Sequence, residues 1–368
     1  MQEYLDMGHM TLIPPEEQKQ ETALAYYIPY ISVLRRDAVT TKLRNVFNAS
    51  SPSSNGVTLN DQIHAGPKLQ THIFDIITRI KQFKFIYSSD VTKMYRQIMI
   101  KAEDKNKLRI IWRSTKERPL NEYFLNTITY GLDCAPWQAI RTLHQIADDN
   151  APDEETKFII KKGFYMDDLF YGADTVEECQ VQIHKIITTL ESGKLPLTKW
   201  ISNNESVLTH IEENKKLSSY IDQIKAVKTL GLMFYPGEDM FGYKIKEPEK
   251  IKFTKRGLLS VAASLYDPIG WIIPVIVKFR LLIQTLWFNE LGWDDKIDHT
   301  TKTAFEKCLN NLNLLNEIKI PRWLHTTENT VLELIGFCDA SKDAYAAVIY
   351  SRIFEASGIV VTIKILFK

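Results

Sequence analysis

Two adjacent carboxylates, Asp167 and Asp168, carry the sharpest chemical signal in this sequence. They follow Tyr165 and Met166, and short apolar runs flank the four residues within Phe158–Ala173. Two carboxylates at the tip of a tight hairpin repel each other, so ionising both costs free energy unless a cation lies beside them. Successive strand residues point to opposite faces, so one carboxylate can face a cleft while the other supports it or reaches a second cation. The pattern therefore indicates a cation site.

A third carboxylate, Asp90, follows an apolar stretch that alternates as a strand. If this strand and the Asp167 strand are neighbours in one sheet, three hard oxygen donors converge, which suits octahedral Mg²⁺. We therefore expect two Mg²⁺ ions about 4 Å apart at Asp90, Asp167 and Asp168, with Mn²⁺ as the substitute ion. The alternative is a solvated acidic turn, which would be the better interpretation of an isolated acidic pair. The apolar hairpin and the strand-end Asp90 favour the metal site.

Composition excludes several other classes of protein. Lys and Arg total 46 against 45 Asp and Glu, so the net charge is +1 and any phosphate-binding surface must be a local basic patch. The 368 residues suffice for about two or three domains. The four cysteines form no CxxC pair, so neither a zinc cluster nor a disulfide framework is expected. Prolines and charges interrupt the most apolar stretch, 265–293, so we expect no membrane span.

Hydrophobic periodicity predicts the elements that position these residues. Alternating apolar residues predict strands over 27–47 (a pair with a basic tip), 83–87, 108–130 (a hairpin), 158–173 (the acidic hairpin), 230–236 and the tail after 321. Helical signals predict helices over 69–80, from Pro136, after a capping box at Thr175 and Glu178, and across 254–318. This order predicts an α+β fold, an antiparallel sheet with helices on one side.

The YMDD residues Tyr165–Asp168 and the D-x-x-x-x-Y spacing from Asp90 to Tyr95 resemble the palm motifs of reverse transcriptases. More closely, the chain resembles the Pol polyprotein of BEL/Pao-type LTR retrotransposons. The stretches that carry this resemblance are, in order, TTKLRNVFNAS, TLNDQIHAGPKLQ, SDVTKMYRQI, ITYGLDCAPWQAIRTLHQIA, YMDDLFYGADT, LTKW, LGLMFYP, TKRGLLSVAASLYDPIGWIIPV and IGFCDASKDAYAAVIY. Together they cover nearly the whole chain, which makes the resemblance specific.

The resemblance implies a right-hand polymerase fold with fingers, palm and thumb, followed by a helical connection and a truncated RNase H-like α/β start. The implied domains are fingers and palm at 1–236, thumb and connection at 237–330, and the RNase H-like start at 331–368. A region that is named in the family as a Pao retrotransposon peptidase begins within the second of these domains.

The resemblance also implies roles for individual residues. The three aspartates would carry the catalytic metals, and the Tyr95 ring would stack under the incoming sugar and exclude a ribose 2′-hydroxyl. Lys42 and Arg44 match the basic fingers residues that grip the triphosphate, where cations neutralise the charge on the leaving pyrophosphate. Lys199 in LTKW resembles the lysine that donates a proton to that leaving group. Its alternative is a surface lysine.

Further nucleotide-binding residues come from two turns. Gly131 begins GLDCAPW, which matches the turn beneath the template and nascent pair, where close backbone approach explains a glycine. Tyr130 stands where many retroviral relatives carry Gln, so the nucleotide contact here departs from their pattern. Met166 belongs to the YMDD turn, and the resemblance implies that it also binds the nucleotide. Leu230–Pro236 resembles the primer grip.

The C-terminal tail resembles the first strands of an RNase H domain, with Asp339 in FCDAS as a remnant of its acidic site. RNase H chemistry needs two ions and several carboxylates from distant segments. Beyond Asp339 and the nearby Asp343, the tail contains one carboxylate, Glu355. We therefore expect this site to be incomplete. An aspartic peptidase needs paired D-[ST]-G loops, and Asp339-Ala-Ser lacks the glycine.

Taken together, the resemblance implies an RNA-directed DNA polymerase in which a primer 3′-hydroxyl attacks a dNTP on an RNA or DNA template. One alternative is a catalytically silent retrotransposon remnant that binds nucleic acid. The other is an aspartic peptidase in the C-terminal region. If the element is active, the expected location is a cytoplasmic virus-like particle, while the oligomeric state stays open.

Overall fold

The computed structural model of this protein describes residues 1–20, 25–34, 43–217, 226–246, 251–327, 330–354 and 360–367. Lys42, one of the two residues predicted to grip the triphosphate, lies outside these ranges. Across the described ranges, every helix is either too short or too polar to cross a membrane.

Several helices begin at polar caps that the sequence supplies. Thr175 and Glu178 form the predicted capping box, since the Glu178 amide donates to Thr175 Oγ1 at 3.2 Å and the Thr175 amide to Glu178 Oε2 at 3.1 Å. The helices are α1 (Gln2–Asp6), α2 (Pro15–Gln20), α3 (Ile73–Ile80), α4 (Met94–Gln97), α5 (Ala135–Asn150), α6 (Glu154–Gly163), α7 (Val176–Ser192), α8 (Lys255–Ser264), α9 (Ile273–Phe288) and α10 (His299–Leu309).

The strands are mostly short. They are β1 (Met10–Leu12), β2 (Tyr30–Leu34), β3 (Leu43–Phe47), β4 (Phe85–Val91), β5 (Arg109–Trp112), β6 (Asn121–Leu125), β7 (Phe164–Tyr165), β8 (Asp168–Ala173), β9 (Leu197–Ser202), β10 (Val227–Thr229), β11 (Leu232–Tyr235), β12 (Met240–Gly242), β13 (Lys319–Pro321), β14 (Val331–Ala340), β15 (Tyr345–Phe354) and β16 (Val360–Phe367).

Sheet order brings distant parts of the chain together. The sheets have the orders β1-β6-β5, β2-β3, β7-β8-β4-β9, β10-β11-β12-β13 and β14-β15-β16. In the third of these, the strand that follows the acidic turn is the direct neighbour of the strand that carries Asp90. We call this four-stranded sheet the site sheet. The C-terminal sheet is antiparallel, and Asp339 stands opposite Ala346 in its register.

Most predicted elements are confirmed. The strand pair within 27–47 is β2 and β3, the 108–130 hairpin is β5 and β6, and α5 has its proline in the first turn. Helices α8 to α10 occupy the region predicted as mainly helical. The helix predicted from residue 69 begins only at Ile73, because the His72 ring caps it by accepting from the Phe74 amide.

One strand prediction is wrong. The first apolar run of the acidic hairpin, 158–163, belongs to helix α6, and only Phe164 and Tyr165 remain as strand. Asp153 caps α6 by accepting from the Thr156 amide at 2.7 Å. The helix buries Ile159 and Ile160 on one face. A short apolar run fits a buried helix face as well as a strand, and here the cap and the packing decide.

The chain forms two compact units, each assembled from three segments. The first unit contains Met1–Gln70, Asp90–Asp168 and His184–Leu197. The second contains Thr71–Ser89, Leu169–Ile183 and Thr198–Lys368. The mixed α+β class is confirmed. The fingers, palm and thumb assignment and the boundaries at 236 and 330 stay predictions.

The second unit is held by a buried arginine. Arg322 is fully buried and forms a two-pronged ion pair with Asp239, with both N–O distances at 2.6 Å. The guanidinium also donates to the backbone carbonyls of Ile80, Phe83 and Lys84, which ties β13 to the turn between α3 and β4. Removing either partner of such a pair leaves an uncompensated buried charge.

Lys81 lies beside this pair and is equally enclosed. Its side chain is 1% exposed, and its Nζ donates to the carbonyl of Pro321 at 2.6 Å. Burial lowers the pKa of Lys81 to about 7, and the nearby positive charge of Arg322 acts in the same direction. This lysine therefore titrates near neutral pH.

Candidate active site

The acidic turn is joined directly to the strand of Asp90. The amide of Val91, the last residue of β4, donates to the backbone carbonyl of Asp167 at 2.8 Å. Asp90 precedes Val91, and Asp168 begins β8. Asp167 is exposed, whereas Asp90 and Asp168 are half-buried. The three predicted metal ligands therefore all belong to the first unit, with Asp90 near the end of β4, Asp168 at the start of β8 and Asp167 in the turn before it.

The turn itself has a strained backbone that a neighbouring side chain stabilises. Met166 has a φ of 58°, a left-handed conformation that costs a non-glycine residue about 1–3 kcal/mol. Its amide donates to Gln70 Oε1 at 2.9 Å, and Gln70 Nε2 donates to the Phe164 carbonyl at 3.2 Å. Sequence reasoning missed Gln70. The signal that could have found it is its place at the end of the TLNDQIHAGPKLQ block, which matched the family but received no role.

Tyr95 and Tyr130 form an aromatic pair in the first unit, within the electrostatic influence of Asp167. Their ring centroids are 4.8 Å apart, with 32° between the ring planes. Burial raises the pKa of Tyr95 to about 12, with further contributions from Tyr130 and the Asp167 charge. Burial also raises the pKa of Tyr130, the charges of Asp167 and Asp90 add to this rise, and nearby arginines oppose it. Both phenols are therefore neutral at physiological pH and share one electrostatic environment with the acidic residues.

Two arginines supply positive charge to the same region. Arg44 lies in β3, is exposed, and lowers the pKa of Tyr130. The Arg96 guanidinium lies 4.5 Å from the centroid of the Tyr4 ring and 3.4 Å from Glu3. Glu3 also pairs with Lys93 at 2.5 Å. The first unit therefore brings both acidic and basic side chains to the surroundings of the tyrosine pair.

Gly131 is required by a close backbone contact. Its φ is 97°, and a Cβ atom built on it would lie 2.2 Å from the carbonyl oxygen of Phe47 in β3. Asn60 fixes the same turn, because its Nδ2 donates to the Gly131 carbonyl at 3.0 Å and its Oδ1 accepts from the Asp133 amide at 3.1 Å. The expected close approach at this glycine is thus to the chain's own backbone, and Asn60 is a second residue that sequence reasoning missed.

The donor chemistry of the acidic stretch fits Mg²⁺. Asp90, Asp167 and Asp168 offer only carboxylate oxygens, the hard donors that this ion prefers. In the described parts of the chain, no group of three His, Cys, Asp or Glu side chains is already arranged to hold a metal ion. Joint binding of an ion by the three aspartates stays a prediction.

Two further predicted residues belong to the second unit. Lys199 is an exposed residue of β9 with a φ of 58° and belongs to the second unit. Asp339 lies near the end of β14 in the second unit, is exposed, and accepts from the Ala340 amide at 2.8 Å. The roles of both residues, and of Lys42 outside the described residues, stay predictions.

The C-terminal part of the chain matches a known family. Residues 254–367 match the family model described as "Pao retrotransposon-like RNaseH-like domain". We call this matched region the Pao domain. The Pao domain thus spans α8 to α10 and β13 to β16, and it begins within the segment predicted as thumb and connection. The resemblance to a BEL/Pao-type Pol region with an RNase H start is confirmed.

A solved structure matches almost the whole chain, including the Pao domain. Its description is "Structure of the foamy viral protease-reverse transcriptase dRH in complex with ds DNA", and it matches with a TM-score of 0.59 and 14% identity. The match covers 98% of this chain but only 54% of the foamy viral chain, about half its length. At this identity it shows a shared fold. No curated protein matches the chain.

Proposed function

We propose that this chain is the polymerase core of a retrotransposon Pol protein, an RNA-directed DNA polymerase that extends a primer with dNTPs. The observation that carries the proposal is the bond from the Val91 amide to the Asp167 carbonyl, which joins the Asp90 strand to the acidic turn. The shared fold with a reverse transcriptase structure supports it.

In this proposal the elements take the places of a right-hand polymerase. The site sheet is the palm, β2 and β3 belong to the fingers, and α8 to α10 form the thumb and connection. The C-terminal sheet β14-β15-β16 is the RNase H-like start. The domain limits are those of the sequence, 1–236, 237–330 and 331–368.

The acidic residues would hold the cofactor. Asp90, Asp167 and Asp168 would bind two Mg²⁺ ions, with Mn²⁺ as a substitute. When bound, Mg²⁺ supplies charge neutralisation at the triphosphate and activation of the primer hydroxyl. Lys42 and Arg44 would grip the triphosphate through charge-assisted hydrogen bonds. Lys199 would donate a proton to the leaving pyrophosphate.

The tyrosine pair would select the sugar. Tyr95 would lie under the incoming sugar and exclude a 2′-hydroxyl by its bulk. Tyr130 packs against that ring at 4.8 Å and is itself 44% exposed, so it both supports Tyr95 and presents a surface to the nucleotide. Gly131 and Met166 would complete the nucleotide pocket.

The partner would be a template paired with its primer. The description of the foamy viral structure names double-stranded DNA, which supports a duplex as the ligand here. Because the net charge is only +1, the duplex would bind through local basic residues, and binding should weaken steeply with salt.

The test is primer extension on RNA and DNA templates by the wild type, Asp167→Asn and Asp149→Asn. Asp149 is an exposed carboxylate at the end of α5 in the same unit, so its variant controls for the loss of one charge. We expect extension by the wild type and Asp149→Asn and a loss of about 10²–10³-fold or more in Asp167→Asn. Equal extension in all three proteins, or none in any, would reject the proposal. Template binding without extension would identify the silent remnant.

A further inference from the structure

The segment from Asn60 to Gln70 runs between two turns of the candidate active site. It contains most of the TLNDQIHAGPKLQ block, which matched the family in sequence but received no role. We call residues 60–70 the bracing segment. The whole segment lies in the first unit, together with Gly131 and with the acidic turn.

At one end of the bracing segment, Gln70 holds the acidic turn with both halves of its amide. Its oxygen accepts from the Met166 amide at 2.9 Å, and its nitrogen donates to the Phe164 carbonyl at 3.2 Å. The amide of glutamine can accept through its oxygen and donate through its nitrogen at once without carrying a charge. Because Met166 is left-handed, this pair of bonds stabilises a backbone that would otherwise relax.

At the other end, Asn60 holds the nucleotide turn in the same way. Its oxygen accepts from the Asp133 amide at 3.1 Å, and its nitrogen donates to the Gly131 carbonyl at 3.0 Å. The same nitrogen donates to Ser50 Oγ at 2.9 Å, and the Asn60 amide donates to the Ala49 carbonyl at 3.1 Å. Asn60 therefore links the turn to the loop that follows β3.

The middle of the bracing segment is pressed onto helix α5. Gly66 has a φ of 81°, and a Cβ atom there would lie 2.6 Å from Cγ of Trp137. The backbone therefore lies directly against the indole, which fixes the segment between its two amide contacts. A segment held at three points can transmit a fixed spacing between the two turns.

We infer that the bracing segment sets the positions of the two turns, with Gln70 a positioning residue for the Asp167–Asp168 turn and Asn60 one for the Gly131 turn. The inference rests on the proposed polymerase function. Side chains that hold metal ligands in place are typically worth about 10–100-fold in metal affinity or activity. Neither residue touches the reacting atoms in this proposal, so each acts through the turn that it holds.

Gln70 is tested by two substitutions that separate its two bonds. Gln70→Met removes both bonds at nearly constant size, and Gln70→Glu keeps the acceptor for Met166 while losing the donor. We expect hydrogen exchange at the Met166 amide to accelerate in Gln70→Met and to stay slow in Gln70→Glu. In primer extension, kcat should fall about 10–100-fold in Gln70→Met and less in Gln70→Glu, with a higher Mg²⁺ requirement.

Asn60 is tested by Asn60→Asp and Asn60→Leu. Aspartate keeps the acceptor for the Asp133 amide, and leucine removes both bonds. We expect KM for the dNTP to rise about tenfold in Asn60→Leu and less in Asn60→Asp, with kcat changed far less than in Gln70→Met. A purely structural role would instead lower the amount of active enzyme and leave KM unchanged.

The control is Gln180→Met, because Gln180 also donates from its amide to a backbone carbonyl, that of Ser206 at 2.7 Å, but in the second unit. Unchanged Met166 exchange in Gln70→Met, or equal kinetic losses in Gln180→Met, would overturn the inference. Should the wild type fail to extend primers, the polymerase proposal falls, while the exchange measurement still decides whether Gln70 holds the turn.

Discussion

Two hairpins of this protein carry an aspartate where the sequence predicts metal chemistry, and they differ in what surrounds it. In the first unit, Asp168 begins β8, whose remaining residues are all buried, and its neighbour β4 carries Asp90. In the second unit, Asp339 lies on β14, which is exposed at every residue except the half-buried Ile335. The register places Ala346, which has no ligand atom in its side chain, opposite Asp339.

The difference shows that the chemistry open to an aspartate depends on the residues that surround it in the sheet. The acidic turn of the first unit is hydrogen-bonded to β4 and to Gln70, and its Asp167 charge acts on two tyrosines. The carboxylate of Asp339 accepts from the amide of the next residue, as in an ordinary turn. The acidic hairpin therefore combines several components of the predicted metal site, whereas the hairpin of β14 and β15 offers one of them, the carboxylate of Asp339.

The largest expected effect is on primer extension, in a direct comparison of Asp90 in the first unit with Asp339 in the second. Asp90→Asn should lower primer extension about 10²–10³-fold or more, because it removes a hard donor from the predicted metal site. Asp339→Asn should change the rate of primer extension by less than about twofold relative to the wild type. A substitution outside the reacting centre has little effect on the activation barrier of the reaction. Steady-state kinetics on one template measure both. Comparable losses of extension in the two variants would show that the two aspartates do not differ in function.

The next effect compares a glycine of each region in the free energy of unfolding. Gly131→Ala should destabilise by about 3 kcal/mol, because φ is 97° and the new Cβ would meet the Phe47 carbonyl. Gly336→Ala in β14 has no atom within 4 Å and should stabilise by about 0.5 kcal/mol. Urea denaturation measures both. A neutral Gly131→Ala would show that the turn is free to move.

A third prediction concerns Lys81, which is buried within the second unit, in contrast to the exposed strand β14 of the same unit. Burial lowers the pKa of Lys81 to about 7 from 10.5, so between these values the unfolded chain binds more protons than the folded one. Stability should therefore rise from pH 7 towards pH 10.5, with a slope of up to about 1.4 kcal/mol per pH unit, and fall as the pH returns to 7. Lys81→Met should remove this slope, whereas replacement of the exposed Lys342 should not. Denaturation across this pH range gives the slopes.

The smallest effect sharpens the comparison at the tyrosines. Tyr130→Ala should raise rNTP incorporation relative to dNTP about 2- to 10-fold, because the aromatic pair that holds Tyr95 is worth about 0.5–1.5 kcal/mol. Tyr130→Phe keeps the ring and should keep the selectivity. Tyr345→Ala, which removes an 86% exposed ring from the C-terminal sheet, is the control. If Tyr130→Ala leaves the ratio of kcat/KM for the rNTP to kcat/KM for the dNTP unchanged, Tyr95 holds its position without support from Tyr130.

The sequence alone determined the element types and the chemical character of the site. Alternation and caps predicted β2, β3, β5, β6 and the start of α7, because these signals arise from local contacts and hydrogen bonds. The YMDD turn and Asp90 were visible as acidic residues in apolar surroundings. The same local signals wrongly predicted a strand over 158–163, the C-terminal part of α6, since a short apolar run fits either element.

Only the tertiary structure decided which residues meet. The bond between Val91 and Asp167, the ring contact of Tyr95 with Tyr130, and the amide pairs of Asn60 and Gln70 join residues that are far apart in the chain. No local pattern encodes such pairings, because strand order and packing result from burying the apolar faces of the whole chain together. The sequence named the reactive groups, and the fold decided their neighbours.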